Sequence, residues 1–413
     1  MRVLRNYALV CFLVLVPYLA GTPESNWVAT WASSPEAADP SDKSPLLHIE
    51  NQTVRERVRV SVGGDKICLR FSNEHGSSPL LIGGVTVAVP QDFACVKPGS
   101  IRSVTFAGRN SVTIPPGAPV FSDPVAFPLT FGAEISVSVY FPQRVATPTL
   151  HGLALKRAVV SQPGDHTREE KIEGAVTDSS IALTAVLVPA HPSQRLLVAF
   201  GDSLTDGDQS TVDADHNWPA DLVRRLAKTD PKLAVVNEGI AGNRLLAEGP
   251  LAFFGVSAWA RFDRDALSVP GVTHIVLLEG INDISFPGTK VGSLSLADPS
   301  AVRHPEDLIA AYRQLIFRAH AHGIKVIGGT IPPCEGAGFP GYYSEAKDAV
   351  RQTVNKWIRT AGAFDGVIDF DAILRDPDHP SRLLPRFASP DHLHPNDAGY
   401  QAMADAVDLT LFR

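Results

Sequence analysis

Two rhythms of apolar and polar residues divide this chain. Up to about residue 188 the rhythm is short and alternating. Val54-Arg-Glu-Arg-Val-Arg-Val-Ser-Val62 alternates between faces, Gly63-Gly64-Asp65 turns the chain, and Ile67-Cys-Leu-Arg-Phe71 reads as the second arm of a hairpin. Segments 85–89, 103–106, 111–114 and 134–140 repeat the alternation between Pro/Gly turns. Many short strands with no helical period predict an antiparallel β-sandwich over residues 25–188. Residues 189–194, Pro-Ala-His-Pro-Ser-Gln, read as a linker.

Beyond the linker the period changes. The continuous apolar runs 196–200, 233–236 and 274–278 predict strands buried on both faces. Between and after them come helical patterns. Segment 218–227 has Pro219 near its start. Segment 306–322 carries Leu308, Ala311, Tyr312, Leu315, Ile316 and Ala319 on one stripe, with Gly323 as its stop. A strand at 325–329, a helix at 344–360, a strand at 366–370 and a last helix from about Asn396 follow. Strand and helix alternate, so residues 195–413 predict an α/β domain whose parallel sheet is covered on both faces.

Composition changes this picture little. A chain of 413 residues is long enough for two domains, and 44% hydrophobic with 20% charged residues is globular. A net charge of −7 and the lack of a Lys/Arg cluster exclude a nucleic-acid binder. Residues 1–24 read as a secretory signal: Arg2 and Arg5, an apolar core from Tyr7 to Leu19, then Ala20-Gly21. The expectation is a secreted or periplasmic protein with no stable membrane span after cleavage; an uncleaved anchor is the alternative. Cys68, Cys95 and Cys334 would remain. Cys68–Cys95 is a candidate disulfide, and buried free thiols are the alternative.

The candidate chemistry begins at Gly201-Asp-Ser-Leu204, where the run 196–200 ends. A serine at the carboxyl end of a buried strand stands where open α/β sheets bind ligands. It can act as a nucleophile if a base and an oxyanion site are near. Gly239-Ile-Ala-Gly-Asn243 follows the second run, Gly280-Ile-Asn-Asp283 follows the third, and Asp391-His-Leu-His394 lies near the C-terminus. With these blocks, in this order over roughly 195–410, the sequence resembles the SGNH hydrolases, the GDSL esterase and lipase family. The resemblance implies a flavodoxin-like α/β/α sandwich and a triad of Ser203, His394 and Asp391. It also implies an oxyanion hole made by Ser203, Gly242 and Asn282, with no metal or other cofactor.

Each residue has a plainer role as competitor. Ser203 could be a helix N-cap, Asn282 a turn residue, and His392 a rival neighbour of Asp391. Asp202 is expected to hold its turn, and Asp283 to orient its loop. The acidic run from Asp206 to Asp215 lacks the glycine and glutamate of an EF-hand and reads as a solvated loop. Arg244 and Trp218 are candidate substrate contacts, with packing the stronger role for Trp218. The expected function is ester hydrolysis, removing acetyl or other short acyl groups from plant polysaccharide or aryl esters. That substrate rests on export, on the β-domain, and on the likeness of Asn237–Leu246 and Ala260–Arg264 to the family's xylan-associated arylesterase-like branch. The alternatives are a lipase for longer acyl chains and a non-catalytic carbohydrate-binding protein on the same scaffold. Neither the acyl group nor the oligomeric state is written in the sequence.

Overall fold

The computed structural model describes residues 26–39 and 44–413; the expected signal segment lies outside them. The N-terminal half builds two large antiparallel sheets and two small ones, the latter Ser180–Ile181, Thr149–His151, Glu36–Ala37 and the pair Leu80–Ile82, Val112–Ile114. The first large sheet runs Trp27–Ala32, Leu183–Pro189, Gly64–Ser72, Val125–Leu129, with Pro119–Phe121 also paired to Gly64–Ser72. The second runs Gly174–Thr177, Ala158–Pro163, Gln52–Arg59, Glu134–Phe141, Gly84–Ala88, Arg102–Val104.

The expected hairpin is not formed. Its two arms, Gln52–Arg59 and Gly64–Ser72, lie in different sheets. Between them Val60, Ser61 and Val62 are all buried, so alternation has stopped and the chain makes a corner. The corner takes its hydrogen bonds elsewhere: Val60 N–H donates to Ala133 O, Ser61 N–H to Thr30 O and Val62 N–H to Thr30 Oγ1. The candidate Cys68–Cys95 bridge is absent, and the alternative of free thiols holds. Cys68 sits in the first sheet with its thiol on the Ser122 carbonyl, 3.1 Å away, whereas Cys95 bridges to Lys171 beside the second sheet. Each thiol is free, one within the first sheet and the other beside the second.

The C-terminal half is an α/β unit. Five parallel strands lie in the order Leu233–Gly239, Arg195–Gly201, His274–Leu278, Lys325–Gly329, Gly366–Ile368. In chain order this is 2-1-3-4-5, the flavodoxin-like arrangement. Residues 196–200 and 275–278 are at most 1% exposed, so helices cover both faces. Helices Trp218–Thr229 and Asp397–Ala406 pack on each other, as do Pro305–Ala321 and Glu345–Thr360. The direction of strand addition reverses between Arg195–Gly201 and His274–Leu278, and their carboxyl ends open the crevice that such a sheet offers to ligands.

The two halves are closely joined. Val235 N–H donates to Ser61 Oγ and Ala29 N–H to Pro270 O. The acidic run is not a solvated loop. Asp213 accepts from Arg57 at 2.7 Å and also pairs with Arg157, while Asp215 accepts from Arg59 and Lys156 at 2.7 Å each. Its carboxylates clasp strand Gln52–Arg59 and the segment before Ala158–Pro163. No described helix is long and apolar enough to cross a membrane.

Candidate active site

Strand Arg195–Gly201 ends in a turn that only a glycine permits. A Cβ on Gly201 would stand 2.3 Å from Thr205 Oγ1 and 2.4 Å from Leu278 O. Asp202 caps the short helix Ser203–Asp206 by accepting from Leu204 N–H at 3.0 Å. Asp202 is therefore the cap and Ser203 the first helical residue. Burial holds the Asp202 carboxyl above its ordinary range.

Ser203 Oγ lies 2.8 Å from His394 Nε2, and His394 Nδ1 lies 2.6 Å from Asp391 Oδ2. The other Asp391 oxygen accepts from Ser389 Oγ and from the N–H groups of Leu393 and His394, at 2.6 to 2.9 Å. Burial would raise the Asp391 pKa. The His394 hydrogen bond and charge, with the Ser389 bond, hold it well below the usual carboxylate range. At His394 burial disfavours the charge, but Asp391 and the nearby charges of Asp208 and Asp202 outweigh it and raise the pKa. Asp208 Oδ2 is 3.7 Å from Nε2. His392 is exposed, with a left-handed φ of 56°, and takes no part in this chain of contacts.

Two further loops reach the same crevice. Gly242 has φ +74°, and a Cβ there would meet Phe254 Cδ1 at 2.3 Å. Asn282 Nδ2 donates to Asn243 O at 2.8 Å, and its Oδ1 accepts from Tyr342 Oη at 2.8 Å. Asp283 accepts from Leu245 and Leu246 N–H, which ties the two loops together as expected. Ser203, Gly242, Asn282 and His394 all line one cleft of about 570 Å³.

Some of this cleft was not foreseen. Five rings line it in sequence: Phe253–Phe254 (4.7 Å between centroids), Phe254–Phe286 (5.7 Å), Phe286–Tyr342 (6.3 Å) and Tyr342–Phe339 (6.0 Å). Within this wall Phe254 lies against Gly242 and Tyr342 sets its hydroxyl on Asn282. The N-terminal half supplies Glu36, Gly152, Leu153, Asp178 and Ser179 to the same cleft. The short apolar run Leu251-Ala-Phe-Phe254 is the one sequence signal for the aromatic wall.

Neither candidate substrate contact reaches the cleft, and Trp218 takes the packing role expected as its stronger one. Trp218 is fully buried and packs on Phe370, 5.6 Å between centroids, because the first turn of its helix faces the core. Arg244 is also buried, over the Phe286 ring and beside Asp283, and neither residue lines the cleft. A different arginine organises the region. Arg261, within 258–262, is 1% exposed and donates to Gly201 O (2.8 Å), Glu238 O (2.9 Å), Asn243 Oδ1 (2.9 Å) and Ser34 Oγ (3.1 Å). It pins the ends of two strands, the Gly242 loop and the N-terminal segment at once.

Glu36, His151 and Asp206 form a buried group whose residue types could ligate a cation. Their geometry is that of an ion-paired imidazolium: Glu36 Oε1 is 3.1 Å from Nδ1 and Asp206 Oδ1 is 3.1 Å from Nε2. The two carboxylates sit on opposite ring nitrogens and do not converge on one point with an imidazole lone pair. Asp206 Oδ2 also accepts from Ala241 N–H at 3.0 Å, next to Gly242.

Comparison with known proteins fits this site. Residues 199–402 match the model of the GDSL-like Lipase/Acylhydrolase family. No curated protein matches the chain. Among solved structures, a GDSL-like lipase from Bacteroides thetaiotaomicron is 18% identical, with 53% of this chain and 88% of that one covered and a TM-score of 0.37. Axe2, an acetylxylan esterase from Geobacillus stearothermophilus, is 21% identical over 52% and 91%, with a TM-score of 0.37. Est24, a carbohydrate acetylesterase from Sinorhizobium meliloti, is 15% identical over 52% and 96%, with a TM-score of 0.38. The matched segment carries all four sequence blocks that meet in the cleft, so residues 199–402 belong to the GDSL-like lipase/acylhydrolase family and the chain is a carboxylic ester hydrolase.

Proposed function

We propose that Ser203 is the nucleophile of a two-step ester hydrolysis, with His394 its general base and Asp391 the group that orients and stabilises the imidazole. The observation that supports this most is the unbroken contact Ser203 Oγ–His394–Asp391, opening into the cleft that Gly242 and Asn282 also line. His394 Nε2 takes the hydroxyl proton while Oγ bonds to the ester carbonyl carbon. The carbonyl oxygen becomes an oxyanion received by the N–H groups of Ser203 and Gly242 and by the Asn282 amide. Collapse expels the alcohol, which takes the proton from His394 and leaves an acyl-Ser203. Water, deprotonated by the same imidazole, attacks the acyl carbon and releases the acid.

The substrate reading is acetyl or another short acyl group on plant polysaccharide or on an aryl alcohol, and the exported form would begin after residue 24. Residues 25–188 serve as an accessory β-domain and 195–413 as the catalytic one, joined by the 189–194 linker. A second reading, hydrolysis of longer lipid esters, draws support from the five-ring wall, which offers an apolar group a surface that acetate would leave empty. Turnover of p-nitrophenyl acetate, butyrate and a long-chain ester by the parent and Ser203→Ala tests both, with acetate release from acetylated xylan alongside. Equal turnover by the serine variant would refute the nucleophile. Preference for the long chain with no acetate release would replace the first substrate reading by the second.

A further inference from the structure

We infer that Tyr342 is a positioning residue whose hydroxyl, together with the Asn243 carbonyl, locks the Asn282 amide so that an N–H is presented to the cleft. The inference rests on the reading of Asn282 as an oxyanion donor and extends it to a residue outside the four family blocks.

Asn282 is 3% exposed, so its amide ends must find partners within the protein. Asn243 O can only accept, and the atom 2.8 Å from it is therefore the amide nitrogen. The other end is then the carbonyl oxygen, which can also only accept. At 2.8 Å from it stands Tyr342 Oη, which must donate. An amide nitrogen carries two N–H bonds. One is spent on Asn243, and the second is left for the cleft that Asn282 lines. With both ends tied, the amide plane cannot turn and its oxygen cannot swing toward the cleft, where it would repel a developing oxyanion.

Tyr342 is itself held in place. It is 2% exposed, with Phe286 and Phe339 rings against it. Its loop is tied to the Asn282 helix by Lys347 Nζ, which donates to Ser285 O at 2.7 Å, to Pro287 O at 2.8 Å and to Gly341 O. A phenylalanine at 342 would keep every ring contact and lose only the hydroxyl, so it separates packing from positioning.

The test compares Tyr342→Phe, Asn282→Ala and the double variant on p-nitrophenyl acetate. It adds the affinity of a trifluoromethyl ketone, whose carbonyl carbon bonds Ser203 Oγ and leaves an oxyanion in the hole. A neutral bond that only orients a donor is worth about tenfold at most, against roughly a hundredfold for the donor itself. Tyr342→Phe is expected to lower kcat roughly fivefold to tenfold with KM changed by less than about twofold, and to weaken the ketone by a similar factor. The double variant should be no slower than Asn282→Ala. Parental kcat in a folded Tyr342→Phe, or a Tyr342→Phe defect that persists in full on top of Asn282→Ala, overturns the inference alone. Parental kcat in Asn282→Ala overturns the oxyanion reading and this inference with it.

Discussion

Replacing Gly242 by alanine puts the proposed oxyanion site to its most direct test. Two costs can be read from the structure. The φ of +74° is left-handed, which costs an alanine roughly 1 to 2 kcal/mol. The new Cβ would also stand 2.3 Å from Phe254 Cδ1 and 2.5 Å from Cε1. The ring cannot retreat, because its opposite edge lies against Gly249, where a Cβ would be 2.4 Å from Cδ2. The contact therefore outweighs the dihedral, and the backbone at 242 must move, carrying its N–H off target. Losing one such donor costs about 3 kcal/mol in the transition state, or roughly a hundredfold in kcat. The expected result with p-nitrophenyl acetate is a kcat roughly a hundredfold lower with KM within about threefold. Removing the obstacle should undo most of this, since the residual strain is only the dihedral cost. Gly242→Ala combined with Phe254→Ala is thus expected to recover most of the kcat lost by Gly242→Ala. A folded Gly242→Ala with parental kcat would refute the donor role of residue 242, and a double variant as slow as the single one would refute the steric account.

Other predictions test the electrostatics and the joint between the halves. Asp208→Asn removes a negative charge 3.7 Å from His394 Nε2, which stabilises the imidazolium. Only neutral His394 can take the serine proton, so the acid limb of the kcat/KM profile should move to lower pH; an unmoved limb refutes the coupling. His151→Gln leaves the buried Asp206 without its cationic partner and should cost about 3 kcal/mol of stability, seen as a lower Tm at pH 6. Burial opposes the charge on His151, but Asp206 and Glu36 overcome it and raise the pKa well above 6.5. For a raised histidine the stabilisation is complete below 6.5 and is lost as pH rises through the folded value, so the gap between parent and variant should narrow in alkali. A gap that widens with pH would reverse the assignment. Asp215→Asn breaks the pairs with Arg59 and Lys156 and should lower stability by about 1 kcal/mol, a loss smaller at high salt; salt independence would count against an ionic clasp.

The parallel sheet and the Ser203 turn were legible because local pattern decides them. An apolar run such as 196–200 has one solution, a strand covered on both faces, and Gly201-Asp-Ser203 marks where it must stop. The observed burial of residues 196–200 agrees with that reading. The expected hairpin after Val62 failed for a different reason. Alternation assigns a residue to a face but not a strand to a neighbour, and the choice of neighbour was made by Thr30 and Ala133, far off in sequence. Cysteine count likewise cannot say which sheet holds each thiol. Trp218 was open to two readings because an indole suits a sugar ring and a core equally; its place in the first turn of a helix with Asn217 as cap turned it inward. Tyr342 and Phe339 carry no motif at all, since their part in the site is a matter of where a loop folds back.

The N-terminal half is better understood as an accessory domain built into the candidate site than as an attachment. Asp206 closes the helix that Ser203 opens and accepts from Ala241 N–H, beside Gly242. Its other oxygen is engaged by His151, which the N-terminal half supplies along with Glu36. Asp208, two residues on, faces His394, and the run then ends in Asp213 and Asp215, both gripped by cations of the same half. Arg261 closes the circuit from the other side by joining Ser34 to Gly201 and Asn243. The loop between Ser203 and helix Trp218–Thr229 is therefore held near both of its ends by residues before 189. Its backbone at Asp208 and Thr211 is held in turn by Tyr400 and Asp397, just past His394. Serine and histidine come from blocks nearly two hundred residues apart, and the same loop is the physical link that keeps them within a hydrogen bond.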